Sequence, residues 1–415
     1  LFRQLQDFIF QTAGAASLRL LVAGLPDSLL SDSLYYFRIP HENMKKNAER
    51  KAFKDWFDRK AARAMAAQVA AAAPDFDESG FVRKATRSLN KLEFNARVQQ
   101  FSDALRATLP ESIPHALATL SSSLPEELPD CEAVADGWLQ LPLGQFIADH
   151  GLDHFDESMT AMIALTKRMS SEFAVRPFVE HHQDVTFERL FVLTSDPNPH
   201  VRRWCSEAVR PRLPWGRKLR ALVADPGPIW PILEALKDDD ELYVRRSVAN
   251  NLNDIAKDHP QLVVKRCKQW KKGGNEHRSW VVRHGLRSLI KDGHPGALAV
   301  VGFGPPKKLT AELTIRPKQI AVGGQIELTA RIETTAGKAQ ELIVDYAVNY
   351  VRKSGKSSSK VFKWTTTRLP ANGSVTLDKR HAMKLTTIRA LYPGVHHVEL
   401  QVNGVRMAEA SFRLG

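Results

Sequence analysis

The sequence predicts a mainly α protein: a HEAT-like-repeat α-solenoid followed by a C-terminal immunoglobulin-like β-sandwich. Three observations carry that prediction. Four related phrases, each with a Val-Arg pair in a helix-like run, recur between residues 170 and 284; the middle two lie 43 residues apart and the last 38 further on. A period near ~40 residues built from helix pairs marks HEAT-type repeats, which stack into a solenoid. Apolar residues recur at spacings of three and four up to about residue 300, and from Leu309 the period changes to two.

A chain of 415 residues holds two or more domains and buries a sizeable core. Its 59 Lys and Arg against 46 Asp and Glu leave a net charge of +13, which favours a polyanionic partner. Cys131, Cys205 and Cys267 are odd in number and far apart, with no CxxC spacing, so they read as thiols of a reducing compartment and exclude a zinc site. No run of ~20 apolar residues is present, which argues against a membrane span.

In chain order, residues 1–43 form an apolar, Ala- and Leu-rich piece broken by Arg19, expected to be an extension with little fold of its own. A helical pattern runs over 48–73, where Phe53, Trp56 and Phe57 fall at spacings of three and four before Pro74 closes it. Asp75, Asp77 and Glu78 place acids at the start of the next helix, where the dipole favours them. Further helices are predicted over 92–109, 117–124 and 147–169, giving an all-α domain over 44–306.

Residues 307–415 form the second domain. About seven short strands separated by Gly, Pro and Asn-Gly turns match an immunoglobulin-like sandwich. From Leu309 onward 16 basic side chains face 8 acidic ones. The run Arg352-Lys353-Ser354-Gly355-Lys356-Ser357-Ser358-Ser359-Lys360 reads as a cationic hairpin tip, fit either for a phosphate backbone or simply for solubility. Arg352, Lys353, Lys356 and Lys360 are its candidate DNA contacts, and deleting 309–415 is expected to weaken DNA binding. The adjacent pairs His181-His182 and His396-His397 read as surface residues and not as metal ligands.

The chemistry rides on the central helices. Over 201–213, Val201, Cys205 and Ala208 make an apolar stripe, while Arg203 and Glu207 share another face at i, i+4, with Arg210 a turn on. Over the next repeat Val244, Val248, Leu252 and Ile255 face inward, and Arg246, Asn250 and Asp254 line one polar stripe. Such stripes are also what solvated salt bridges between neighbours look like. Two features point further: the stripes recur on consecutive repeats, and Arg210-Pro211-Arg212-Leu213-Pro214-Trp215 should stop the helix and hold Trp215 in a defined place. Carboxylates, arginines and a presented aromatic ring suit DNA carrying a cationic base. Hydrolysis of an N-glycosidic bond develops an oxocarbenium-like sugar that a carboxylate stabilises, and a cationic base departs without a general acid or a metal.

These phrases, from Ser171-Glu172-Phe173-Ala174-Val175-Arg176-Pro177-Phe178 through His200-Val201-Arg202-Arg203 and Asn250-Asn251-Leu252-Asn253-Asp254 to Trp280-Val281-Val282-Arg283-His284, resemble the AlkC branch of the HEAT-like-repeat DNA glycosylases over residues 44–303. The resemblance implies a monofunctional, cofactor-free glycosylase that excises N3-methyladenine and N3-methylcytosine from duplex DNA without full extrusion of the base. It further implies a monomer in the bacterial cytoplasm, associated with the nucleoid and not with a membrane. Position by position, Glu172, Glu207 and Asp254 match the family's active-site carboxylates and Trp215 its active-site tryptophan, with Asp254 the first choice for stabilising the cation or positioning water. Arg203 and Arg246 are candidate phosphate contacts. Trp204 and Cys205 stand where small residues are usual, and core packing is expected for both. The competing reading is a non-catalytic solenoid that binds DNA structure or a protein; the three carboxylates together beside Trp215 favour the enzyme.

Overall fold

The computed structural model describes residues 52–385 and 390–415, so the reading of 1–43 lies outside the described residues. The chain is a helical solenoid-like region followed by a β-sandwich. Among the described residues the helices are α1 (Arg59–Ala72), α2 (Glu78–Ala85), α3 (Phe94–Arg106), α4 (Ile113–Ser122), α5 (Leu141–His150), α6 (Phe155–Thr166), α7 (Arg176–His181) and α8 (Gln183–Val192). They continue with α9 (Pro199–Ala208), α10 (Arg220–Ala224), α11 (Trp230–Leu236), α12 (Leu242–Ile255), α13 (Pro260–Lys271), α14 (Glu276–Gly285), α15 (Arg287–Lys291) and α16 (Pro295–Val300). None is long and apolar enough to cross a membrane.

Local chemistry sets several boundaries that periodicity alone misses. The predicted helix over 48–73 is divided: a 3-10 turn at Phe53–Trp56 precedes α1, and Asp58 starts α1 by accepting the Ala61 N–H at 2.8 Å. Asp77 caps α2 through the Gly80 N–H at 2.8 Å, as the acids before it foretold. The helix expected over 147–169 breaks between α5 and α6 at Gly151, where the Ser158 hydroxyl donates to the Gly151 carbonyl at 2.8 Å. The helix expected to reach 213 ends at Ala208, because Pro211 disfavours helical backbone at Arg210.

The chain divides into two compact units. One comprises 52–258 with Asn275–Gly285, and the other His259–Gly274 with Leu286–Gly415. The division predicted near residue 306 follows the change of period, whereas packing joins α13, α15 and α16 to the sandwich. Leu298 and Phe303 pack with Ile343, and the Asn403 side chain donates to the Gly304 carbonyl at 2.7 Å.

Among the described residues the sandwich has eight strands, β1 (Leu309–Arg316), β2 (Gln319–Ile320), β3 (Gln325–Thr334), β4 (Gln340–Val351), β5 (Ser357–Leu369), β6 (Ser374–Ala382), β7 (Gly394–Val402) and β8 (Val405–Leu414). One sheet has the order β1-β3-β6 and the other β2-β8-β7-β4-β5. The two-residue β2, pairing parallel with β8, is too short to leave a periodic trace and escaped the sequence reading. Alternating residues of β3 (Ile326, Leu328, Ala330, Ile332) meet Leu342, Val344, Tyr346 and Val348 of β4 in the core. The expectation of surface histidines fails at His396, which is fully buried with Nε2 3.1 Å from the Tyr392 carbonyl, because the inward face of β7 places it in the core. His181 is exposed, and His182 is half-buried with Nε2 3.2 Å from the Leu152 carbonyl.

Candidate active site

Helices α9 and α12 pack against each other, and their predicted apolar stripes are buried. Their polar stripes are buried as well: Arg203, Glu207, Asn250 and Asp254 are each at most 4% exposed. Stacking therefore turns the stripes into a contact between neighbouring repeats instead of a solvated face. Ionised groups removed from water need partners, and the partners form a chain.

Glu172, in the segment leading into α7, accepts Arg203 Nη1 at 2.6 Å and the Ser170 hydroxyl at 3.0 Å. Arg203 Nη2 reaches Glu207 Oε1 at 3.3 Å, one helical turn along α9. Arg210 Nη1 donates to the same Glu207 oxygen at 2.6 Å, and its Nε donates to Asp254 Oδ2 at 2.8 Å. Ser247 on α12 donates to Glu207 Oε2 at 2.5 Å, and Lys257 donates to Asp254 Oδ1 at 2.9 Å. The sequence Glu172–Arg203–Glu207–Arg210–Asp254–Lys257 is thus one continuous alternation of acid and base. Arg210 makes its bridge because it has left the helix; continued along α9, it would project from the next turn of that helix.

The electrostatics separate the acids. Burial and the neighbouring Glu207 charge push the Glu172 carboxyl well above the ordinary range, against the Ser170 hydroxyl and the Arg210 and Arg176 guanidiniums. Burial would raise Glu207 too, yet Arg203, Arg210 and the Ser247 hydroxyl together hold it below the ordinary range. Burial also opposes the charge on Arg210, but Glu207 and Asp254 keep it firmly protonated. Two buried carboxyls of one network are thereby driven apart, a pattern found where acids are assigned different tasks.

Trp215 stands on the loop that follows α9. It is 40% exposed, and its backbone is left-handed at φ 62°, a conformation disfavoured for a bulky residue and held only by surrounding structure. Arg176 supplies much of that hold. Its guanidinium, 1% exposed, donates to the carbonyls of Ala208 (3.3 Å), Arg210 (3.0 Å) and Arg217 (2.6 Å). Burial depresses the Arg176 pKa to about 10. Arg212 pairs with both oxygens of Asp258 at 2.7 Å each, and Arg217 pairs with Glu180 at 2.7 Å.

The structure therefore brings Glu172, Glu207 and Asp254 into one network, with Trp215 on the loop that carries Arg210. Arg203 departs from the sequence expectation of a phosphate contact: it is buried between Glu172 and Glu207, with its guanidinium 5.3 Å from the Tyr243 ring centre. Arg246 is half-buried on α12. Arg352, Lys353, Lys356 and Lys360 are exposed at and beside the β4–β5 hairpin tip, in the other compact unit. Trp204 and Cys205 are in the core, as expected. Ser170, Ser247, Lys257 and the Arg176 clamp were not singled out from the sequence. Ser247 could have been found, since it lies one residue from Arg246 and three from Asn250; Arg176 acts through backbone carbonyls, which have no side-chain pattern.

Comparison with known proteins identifies the family. The family described as "Uncharacterised protein YhaZ, C-terminal Ig-like domain" matches residues 309–415. The protein YhaZ of Bacillus subtilis (strain 168) is 35% identical over 333 residues, covering 80% of this chain and 90% of that one. The Pseudomonas fluorescens alkylpurine DNA glycosylase AlkC, solved bound to DNA containing an abasic site analog, is 37% identical with a TM-score of 0.80, covering 88% of this chain and all of that one. An identity and coverage of this order, over both the helical region and the sandwich, show that the chain belongs to the AlkC-type DNA glycosylase family.

Proposed function

We propose that the protein hydrolyses the N-glycosidic bond of cationic alkylated bases, N3-methyladenine and N3-methylcytosine, in duplex DNA, acting as a cytoplasmic monomer that leaves an abasic site. The observation that carries the reading is the buried carboxylate–guanidinium chain, whose Arg210 shares a loop with Trp215, in a relative of a DNA-bound alkylpurine glycosylase. The electron pair of the breaking C1′–N bond goes to the base and neutralises its positive charge. The sugar becomes oxocarbenium-like, water adds at C1′, and the water's proton passes to a carboxylate. Fixed carboxylates facing C1′ favour the cation without having to reorganise during the reaction.

Roles divide by how firmly each acid is held. Both Glu207 oxygens are taken by groups that are themselves buried, Arg203, Arg210 and Ser247, so Glu207 serves as a fixed negative charge. Asp254 Oδ2 is held by buried Arg210, but Oδ1 is held by Lys257, whose side chain is 49% exposed on a flexible stem. Lys257 can swing aside when DNA arrives and leave Oδ1 for a water or the sugar. That support makes Asp254 the water-positioning acid. Glu172, with its raised pKa, lines the lesion side and can hold a proton. Arg203 acts as the internal counter-charge of the acids in place of a phosphate contact, and Trp215 stacks on or wedges beside the lesion nucleotide.

Release of methylated base from alkylated duplex, in single turnover, tests the reading. Asp254→Asn should lose ~100-fold or more in rate, a size usual for removal of one preorganised electrostatic group, while retaining DNA binding. Lys257→Met should keep or gain rate. No base release by folded, DNA-binding intact protein would overturn the assignment.

A further inference from the structure

The arginines of α9, α12 and their loops are largely spent on acids of the protein itself: Arg202 pairs with Asp239, Arg203 with Glu172, Arg210 with Glu207 and Asp254, and Arg212 with Asp258. Cations that could meet an outside polyanion must be sought elsewhere. One cluster of them lies at the start of the described chain. An open groove between α1 and α2 is lined by Arg59, Arg63, Arg83, Lys84 and Arg87, with Glu78 its one acidic wall residue. All five cations are exposed, and none enters an ion pair among the described residues. The nearby carboxylate of Asp77 is occupied in capping α2, accepting from the Gly80 N–H at 2.8 Å and the Ser79 hydroxyl at 3.0 Å.

The placement is regular. Arg59 and Arg63 lie at i, i+4 on α1, separated by about 6 Å along its axis, while Arg83 lies on α2 and Arg87 in the turn just after it. The apolar sides of the same helices are consumed in the core through Ala62, Met65, Ala66 and Val69 on α1 and Phe81 and Ala85 on α2. The charged sides thus face each other across the groove on a rigid base. Four of the five cations are arginines, whose planar forks hydrogen-bond phosphate oxygens in pairs. Among the described residues the wall holds no aromatic side chain on which a base could stack.

We infer that the α1–α2 groove is a second DNA site, which grips the phosphate backbone of duplex flanking the lesion and reads no sequence. The inference rests on the proposed action on DNA, but its test is independent of base release. The groove shares no residue with the carboxylate chain on α9 and α12, so it acts on a different stretch of the duplex and contributes only when the DNA is long enough to reach it.

The test uses the full chain and undamaged duplexes of two lengths, roughly 10 and 30 base pairs, with binding followed by anisotropy across a salt series. Two double variants, Arg59→Gln/Arg63→Gln and Arg83→Gln/Arg87→Gln, are compared with the intact protein, and their melting temperatures establish folding. On the long duplex each pair should weaken binding about tenfold or more and reduce the slope of log K against log salt by about 1.8, from about 0.9 per lost phosphate contact. On the short duplex the variants should match the intact protein. In single turnover at saturating enzyme, base release from alkylated DNA should be unchanged. Unchanged affinity and slope on the long duplex would overturn the proposal, and so would an equal loss on both lengths, which would place the groove within the footprint of the carboxylate site and not on flanking duplex. Failure of the intact protein to release base, with the length-dependent slope preserved, would sink the glycosylase reading and leave the groove standing.

Discussion

At the scale of single residues, the site is a problem of buried charge. Five ionisable groups, three acids and two arginines, are buried in one network, and each touches a neighbour of the opposite kind. Such pairs add little net stability over apolar packing, but removing one partner strands the other. Glu207 holds the central place, because both Arg203 and Arg210 depend on it. Glu207→Gln should therefore lower stability at neutral pH by about 3–5 kcal/mol. The pH dependence has a definite sign. The folded pKa of Glu207 lies below the ordinary value, so its contribution is complete above an unfolded pKa of about 4.3 and is lost as pH falls through the lower folded value. Thermal melts between pH 7 and pH 3 should show the intact protein losing stability toward acid and the variant's deficit shrinking with it. A deficit that stays constant with pH would mean that the Glu207 carboxylate carries no such stabilisation.

At the scale of elements, the decisive one is the loop from Val209 to Leu219. Its prolines end α9 and turn the chain, but prolines do not fix where Trp215 points. Arg176 does so by tying the Arg210 and Arg217 carbonyls of the loop, and the Ala208 carbonyl at the end of α9, to the start of α7. Arg176→Met fills the volume and leaves those carbonyls without donors, at about 1–3 kcal/mol for each one that water does not reach. The expected signature is local: cleavage by trypsin after Arg212 and Arg217 should accelerate well beyond the change in global melting, and base release should show a raised KM more than a lowered kcat. Equal protease resistance in the two proteins would show that the loop holds itself without the clamp.

At the scale of the whole molecule, two cationic regions lie outside the carboxylate chain, one in each compact unit: the α1–α2 groove and the β4–β5 hairpin tip. The tip is the cleaner target for asking what the sandwich does. Deleting 309–415 would also strip Ile343 from Leu298 and Phe303, so loss of binding would be mixed with loss of structure. Replacing Arg352, Lys353, Lys356 and Lys360 with serine touches exposed positions at and beside the hairpin turn. Melting should be unchanged, while the salt slope of DNA binding should fall by up to about 3.6, at about 0.9 per phosphate contact. An unchanged slope would make the tip a solubilising feature.

The family resemblance singled out Glu172, Glu207, Asp254 and Trp215 as site candidates, and the sequence by itself determined the two architectures and the helix-stopping turn after α9. Those are properties of pattern: the period of apolar residues is set by which face must be buried, and a turn rich in proline stops a helix wherever it lies. Even the i, i+4 pairing of Arg203 with Glu207 is local geometry. Only the tertiary structure decided what the polar stripes do. Whether Arg203 meets a phosphate or a carboxylate depends on which helix stacks against it, and Glu172 lies 31 residues away in the chain. The bridge from Arg210 to Asp254 spans 44 residues, from the loop after α9 to α12. The same holds for His396, whose adjacency to His397 reads as a surface pair until the pleat of β7 sends one of the two into the core. Burial is a property of neighbours in space, and for these residues the neighbours are distant in sequence.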